Sequence, residues 1–196
     1  MISGIVLAAG MSQRMGTPKA LLDWGGETLV AYQVRQLREA GCSEVIVVLG
    51  HVSDAIQRRM HDVDCRVMFN ARHQFGRAGS LRIGAKAASR DADAIVILNV
   101  DQPRPAATIR ALLEAHRPEA AATRPVHNGR HGHPVVVAGR LREELMGAQD
   151  ASGGLHGVLA RHEGEIDDVA CDAVCNLDVN TPEDYEAARR TFGLVS

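Results

Sequence analysis

Lysine is almost missing from this chain. Of 22 basic residues only Lys19 and Lys86 are lysines, the others being arginine, so a lysine placed just after a glycine-rich loop stands out. Aromatic residues make up 3%, too few for the base-stacking platforms of a single-stranded nucleic-acid binder. An excess of one charge is also lacking: 22 basic residues face 24 acidic ones, for a formal net charge of −2. That balance excludes a strong electrostatic draw toward nucleic acid or an anionic membrane surface. No apolar run approaches the roughly 18 residues of a membrane span. The opening MISGIVLAAG has no basic n-region and reads as a strand rather than a signal peptide. Cys42, Cys65, Cys171 and Cys175 have no second close pair and no His at ligand spacing. They are expected to be structural thiols in a reducing, cytoplasmic compartment. His127, His131 and His133 cluster in a Gly-rich stretch that reads as a turn or a substrate-touching loop rather than a metal site.

What is present is an alternation of two patterns over 196 residues, 45% of them hydrophobic, enough for one domain with its own core. Apolar runs at 3–8, 44–49, 94–100 and 134–138 read as buried strands, with weaker strands at 66–69 and 119–123. Helical patterns cover 28–40, 52–61, 78–89 and 106–116. Continuous Val/Ile/Leu runs separated by helices predict a doubly wound α/β fold with a mostly parallel sheet, its ligand beyond the carboxyl ends of the strands. Residues 125–133 read as a loop and 140–147 as a short helix. Ser152 is expected to cap a helix at 153–162, and 174–178 reads as a last strand. Thr181-Pro182-Glu183-Asp184 opens the final helix, with Thr181 as N-cap and Pro182 in the first helical position.

The loop after the first strand carries the chemistry. Its pattern is Leu7-Ala8-Ala9-Gly10-x-Ser12-x-Arg14-Met15-Gly16-x-Pro18-Lys19-x-Leu21-Leu22. Glycines let backbone N–H groups turn toward an anion, and Arg14 and Lys19 add positive charge suited to a triphosphate. The spacing is neither that of a P-loop nor that of a dinucleotide fingerprint. Asp101-Gln102-Pro103 follows the strand at 94–100, where an acid faces the crevice and could hold Mg2+.

These motifs, together with Gly132-His133-Pro134-Val135 and the run from Asn176 to Tyr185, resemble the MobA-like NTP transferase family over essentially the whole chain. Within it they are most similar to molybdenum cofactor cytidylyltransferases, which have L-A-A-G where guanylyltransferases typically have L-A-G-G. The resemblance implies a Rossmann-like three-layer α/β/α nucleotidyltransferase fold. It implies Leu7, Ala8, Ala9 and Gly10 against base and ribose, Ser12, Arg14, Met15 and Gly16 around the triphosphate, and Lys19 on phosphate. Gly79, Ser80 and the start of their helix would supply donors to the nucleotide. Asp101 would bind Mg2+, or Mn2+ in its place, with Asp178 as second metal contact and Asn180 as the alternative. His133, His156 and Asn180 would face the acceptor. The chain departs from the family at Asn70-Ala71-Arg72-His73-Gln74-Phe75-Gly76-Arg77, where the family's Pro, Trp and Met are replaced, and at 151–156, where His156 stands for an Arg.

The implied reaction is transfer of a nucleotidyl group, from CTP rather than GTP, to a phosphorylated acceptor, molybdopterin first, with release of pyrophosphate. Arg14, Lys19 and Asp101 would be the catalytic residues. The methyl of Ala9 narrows the space for a purine. A phosphate nucleophile is already anionic, so no general base is needed; alignment and charge neutralisation suffice. The alternatives are a guanylyltransferase of the same cofactor and a transferase acting on a sugar phosphate or another phosphorylated alcohol. A third is a nucleotide-binding factor that delivers cofactor to a recipient molybdenum enzyme.

Overall fold

The computed structural model describes residues 1–10 and 15–195. Ser12 and Arg14, two of the expected triphosphate contacts, lie outside the described residues. In chain order the elements are β1 (Ile2–Ala8), β2 (Asp23–Trp24), β3 (Glu27–Thr28), α1 (Leu29–Glu39), β4 (Glu44–Leu49), α2 (Ser53–Arg58), β5 (Arg66–Phe69), α3 (Ala78–Ala87) and β6 (Ala94–Asn99). They continue with α4 (Ala106–Ala115), β7 (Ala122–His127), β8 (Arg130–His131), β9 (Val135–Ala138), α5 (Arg142–Met146), α6 (Leu155–Ala160), β10 (Ile166–Ala170) and α7 (Pro182–Thr191).

The main sheet has eight strands in the order β10-β7-β9-β6-β1-β4-β5, with β8 paired to β7. β5, β4, β1 and β6 are mutually parallel, β9 runs antiparallel between β6 and β7, and β10 is parallel to β7. Both parities of the central strands are apolar because both faces are covered. Val6, Val45, Val47 and Val96 pack against Val34 and Leu37 of α1 and Ile109 and Leu112 of α4. Ile5, Ile46, Val48, Ile95 and Ile97 pack against Leu81 and Ala85 of α3, Leu145 of α5 and Val158 and Leu159 of α6. This is the expected three-layer, mostly parallel α/β/α arrangement. α3 comes close enough to β1 that a Cβ at Gly84 would lie 2.6 Å from Ile5 Cγ2.

A third cluster closes one end. Trp24, Leu29 and Tyr32 meet Val179 and Ala188, with Met15, Tyr185 and Phe192 packed on them. Among the described residues, no helix is long and apolar enough to cross a membrane.

Three local expectations are corrected. The stretch 125–133 is not all loop: β7 runs to His127 and returns as β8 through Asn128-Gly129, with φ of 50° and 75°. Two positive φ values in a two-residue Asn-Gly connection make the right-twisted hairpin that this dipeptide favours. The segment 174–178 is no strand. A 3-10 turn covers Ala173–Asn176, capped by Asp172, whose carboxylate accepts from Val174 N at 3.0 Å. The final strand is instead β10, whose Asp167 and Asp168 hid it; both pair with arginines, Arg117 and Arg124, at 2.7 Å. Ser152 caps no helix: its Oγ donates to Gln149 O at 3.1 Å, and α6 starts at Leu155 after Gly154. The final helix is as expected, with a capping box between Thr181 and Asp184 and Pro182 at its start.

Candidate active site

β1 and β6 end side by side, and the chain leaving each builds one wall of a crevice. After β1 come Ala9 and Gly10; after β6 the ladder persists one residue, Val100 N donating to Leu7 O at 3.0 Å, and then delivers Asp101. The crevice holds a cavity of about 480 Å3. Leu7, Ala8, Ala9, Gly10, Lys19, Ser80, Asn99, Asp101 and Asn180 are among its lining residues.

Lys19 sits at its centre. It opens the 3-10 turn Lys19–Leu21 directly after Pro18, with Ala20 buried. Its Nζ donates to Asp101 Oδ2 at 2.8 Å and to Asn180 Oδ1 at 2.9 Å. The Lys19 and Asp101 side chains keep 13% and 22% of their exposure, so the ion pair is partly desolvated. Three segments far apart in the chain thus converge on one ammonium. Asn180 is brought there by Val179 N, which donates to Asp101 O at 2.8 Å, and by the α7 cap, where Asp184 Oδ2 accepts from Asn180 N at 3.1 Å.

Asp178 stands beside this group rather than on the crevice lining. Its Oδ1 accepts from Gln102 Nε2 at 3.0 Å and lies 3.9 Å from Arg104 Nη2. Arg104 is wholly buried. It donates to the carbonyls of His133, Pro103, Leu177 and Cys175 at 2.7–2.8 Å. Burial pulls its guanidinium down to about 10, against the opposing pull of Asp178, so it stays charged at neutral pH. One arginine therefore ties the Asp-Gln-Pro loop, the His133 turn and the segment leading to Asp178 into one unit. His133 lies in that unit; burial, then the charge of Arg104, hold its imidazole below the ordinary range.

The far wall comes from the β5–α3 connection. His73, Gln74, Gly76, Arg77 and Ser80 line it. Ser80 Oγ accepts from the buried Asn70 Nδ2 at 2.9 Å. The start of α3 was expected to offer its N–H groups to the nucleotide. Instead the Arg77 and Ala78 N–H groups donate to Asp150 Oδ1 at 2.8 and 3.1 Å. Gly76, at φ 124°, allows this approach, since a Cβ there would lie 2.2 Å from Asp150 Oδ2. Gly79 faces a neighbouring groove over Asn70 rather than the crevice, Met15 packs into the aromatic cluster, and Gly16 is exposed with φ 67°. His156 is exposed on α6 and is not part of the lining. Sequence reasoning missed Asn99, Arg104 and Asp150. Arg104 reaches the carbonyls of His133, Leu177 and Cys175, and Asp150 the N–H groups of Arg77 and Ala78, all at least 29 residues away, which no local spacing reveals.

The donor chemistry suits a hard divalent cation. Asp101 offers a carboxylate at the crevice and Asn180 lines it on the other side of Lys19, with Asp178 off the lining on Gln102. Mg2+ or Mn2+ prefers one or two carboxylates with phosphate and water oxygens completing the shell. Among the described residues, no group of three or more His, Cys, Asp and Glu side chains forms a self-sufficient metal cage. A cation here would therefore share its shell with phosphate.

Comparison with known proteins supplies the family. Residues 4–166 match the model of the MobA-like NTP transferase domain. The chain is 30% identical to nicotine blue oxidoreductase of Paenarthrobacter nicotinovorans, over 99% of this chain and 96% of that protein. It is 30% identical to a probable molybdenum cofactor guanylyltransferase of Bacillus cereus, over 96% of each. Among solved structures, a nucleotidyl transferase from Methanothermobacter superposes with a TM-score of 0.84 at 26% identity, covering 98% of this chain and 97% of that one. A manganese complex of Rv0371c from Mycobacterium tuberculosis superposes with a TM-score of 0.76 at 27% identity, over 95% and 96%. A crevice at the ends of β1 and β6, lined by Leu7 to Gly10 and centred on Lys19 and Asp101, therefore belongs to a nucleotidyltransferase, and the chain is a member of the MobA-like NTP transferase family.

Proposed function

We propose that the protein transfers the nucleotidyl group of CTP to a phosphorylated small-molecule acceptor, molybdopterin or its molybdenum-loaded form, and releases pyrophosphate. The observation that carries this reading is the convergence of Asp101 and Asn180 on Lys19 inside the crevice. An acceptor phosphate oxygen attacks the α-phosphorus, a new P–O bond forms, and the bond to the β-phosphate oxygen breaks with its electrons. Lys19 binds phosphate and neutralises charge building on the departing pyrophosphate; Arg14 is assigned the same task from the sequence. Asp101, with Asp178 or Asn180, would hold Mg2+ or Mn2+, whose chemistry is charge neutralisation and templating of the phosphate oxygens. Leu7, Ala8, Ala9 and Gly10 form the base and ribose wall, with Ser80 opposite. His133, beside Asp178, is assigned to the acceptor side.

Ala9 lines the cavity, and its methyl takes space a purine would need, which favours CTP. GTP is the second reading, favoured by the relatives named molybdenum cofactor guanylyltransferase. The relative named for an oxidoreductase raises a redox reading, which the absence of a dinucleotide fingerprint in the first loop opposes. The test is pyrophosphate release from each NTP with molybdopterin and Mg2+, beside an assay of NAD(P)H oxidation. Release with CTP alone supports the proposal and release with GTP alone reverses the base. NAD(P)H oxidation without pyrophosphate overturns it.

A further inference from the structure

Gln102 follows Asp101 and is 6% exposed. Its carboxamide is oriented by groups whose roles are not adjustable. Oε1 lies 3.3 Å from Asn99 N and 2.9 Å from Asn99 Nδ2. A backbone N–H only donates, so the oxygen of Gln102 must be on that side. On the other side Nε2 lies 3.0 Å from Asp178 Oδ1 and 3.2 Å from His133 Nδ1. A reversed amide would press its oxygen against the Asp178 carboxylate, acceptor on acceptor. An amide NH2 has two hydrogens to give and nothing to accept with. Both neighbours must therefore accept, and an imidazole that accepts at Nδ1 is neutral and carries its proton on Nε2.

The main chain around this trio is pinned as well. Gln33, fully buried, donates its Nε2 to Gln102 O and Asn99 O. Arg104 holds the carbonyls of His133 and Leu177. The trio thus has a fixed backbone on all sides, and the one polar choice left, which way the proton on His133 sits, is made by Gln102.

We propose that Gln102 is a positioning residue: it fixes His133 as the Nε2–H tautomer and holds the Asp178 carboxylate, so that the acceptor side presents one fixed N–H donor beside one fixed carboxylate. The acceptor half of this inference rests on the proposed nucleotidyl transfer; the tautomer half does not. An N–H donor of set direction suits an incoming phosphate oxyanion, and outer residues of this kind typically change affinity or activity about 10–100-fold when removed.

The test is long-range 1H–15N correlation on the full-length protein labelled with 15N-histidine, His133 being assigned from its loss in His133→Gln. In the wild type Nδ1 should appear as the unprotonated nitrogen and Nε2 as the protonated one. Gln102→Glu replaces the donor by an acceptor and should draw the proton to Nδ1. Gln102→Met removes both polar atoms and should give a mixture of tautomers. Both variants are checked by circular dichroism before they are read. With CTP or GTP and molybdopterin, each should raise the acceptor KM about tenfold while the NTP KM stays within about twofold. A wild-type Nδ1–H, or an unchanged tautomer in folded Gln102→Glu, overturns the proposal. A switched tautomer with unchanged acceptor KM and kcat overturns the positioning role. The spectra need no substrate, so absence of turnover in the wild type would count against nucleotidyl transfer separately.

Discussion

Lys19 and Asp101 make opposite demands on the site. The ammonium is kept in place by the carboxylate, and the same carboxylate is the group a divalent cation would want. On the proposed function, the 2.8 Å contact between the two side chains would be exchanged for contacts to phosphate when a nucleotide and its cation enter. Asp101→Ala is accordingly expected to abolish turnover while the protein stays folded; full pyrophosphate release from that variant would remove Asp101 from the metal role. Lys19→Ala is expected to lose at least about 100-fold in kcat, the scale of one preorganised charge contact, with single-turnover kinetics as the measurement. Asp101 was legible in the sequence because it lies immediately after a strand signal, where an α/β sheet puts its ligand; Lys19 was legible as the lysine that ends the glycine-rich loop in a chain with only two lysines. Asp178 was legible as a nearby carboxylate but not in its partners. Its link to Gln102 spans 76 positions.

At the scale of elements, the cap of α7 was read well from local residues, whereas the strands that depend on pairing were not, and Ser152, a local signal of the same kind, caps no helix. The Thr181-Pro182 start of α7 was visible because a cap is a matter of four consecutive residues. Thr181→Ala should cost about 1 kcal/mol, measurable as a lower urea midpoint, and with it the hold of Asp184 on Asn180 should slacken. β10 was invisible because its two consecutive acids, Asp167 and Asp168, which pair with Arg117 and Arg124, break the apolar run that marks a strand. The β7–β8 hairpin escaped because its Gly-rich tip was read as loop when Asn128-Gly129 already supplied the turn. The close packing of α3 on β1 depends on Gly84. Gly84→Ala should destabilise by about 1–3 kcal/mol through overpacking against Ile5, and a variant as stable as the wild type in urea would show that α3 can lift without cost.

The whole molecule carries its charge pattern into its response to acid. His116 is half-buried, its Nδ1 2.8 Å from Thr123 Oγ1, and burial holds it below the ordinary imidazole range. Its folded form therefore binds protons less readily than its unfolded form. The stability it contributes is complete above about pH 6.5 and is lost as pH falls below that value. For Glu44, burial works against ionisation. The Ser3 hydroxyl, the Ser89 N–H and Arg66 outweigh it and hold the carboxyl below its usual range. That contribution persists to lower pH and is lost as pH falls through the depressed value. Urea midpoints should accordingly be flat from about pH 8 to 7 and fall in two stages below; a midpoint constant down to about pH 5 would contradict the His116 assignment, and one constant from about pH 5 down to about pH 2 the Glu44 assignment. Nucleotide binding should act in the other direction. A nucleotide at about 100 times its dissociation constant adds about 2.7 kcal/mol, roughly 5–10 °C in Tm for a chain of this size. A shift confined to CTP or to GTP would name the base, and no shift with any NTP would argue against the crevice as a nucleotide site.

The third hydrophobic cluster has one more use. Of six aromatic residues in the chain, Trp24, Tyr32, Tyr185 and Phe192 are gathered there, and Trp24 is the single tryptophan, 2% exposed. It is packed with Met15, at the end of the first loop, and with Val179, next to Asn180. The two stretches of chain that meet on Lys19 thus share one native fluorophore, held away from water and away from the ligand itself. Its emission offers a label-free optical readout of how those two stretches settle as the crevice fills.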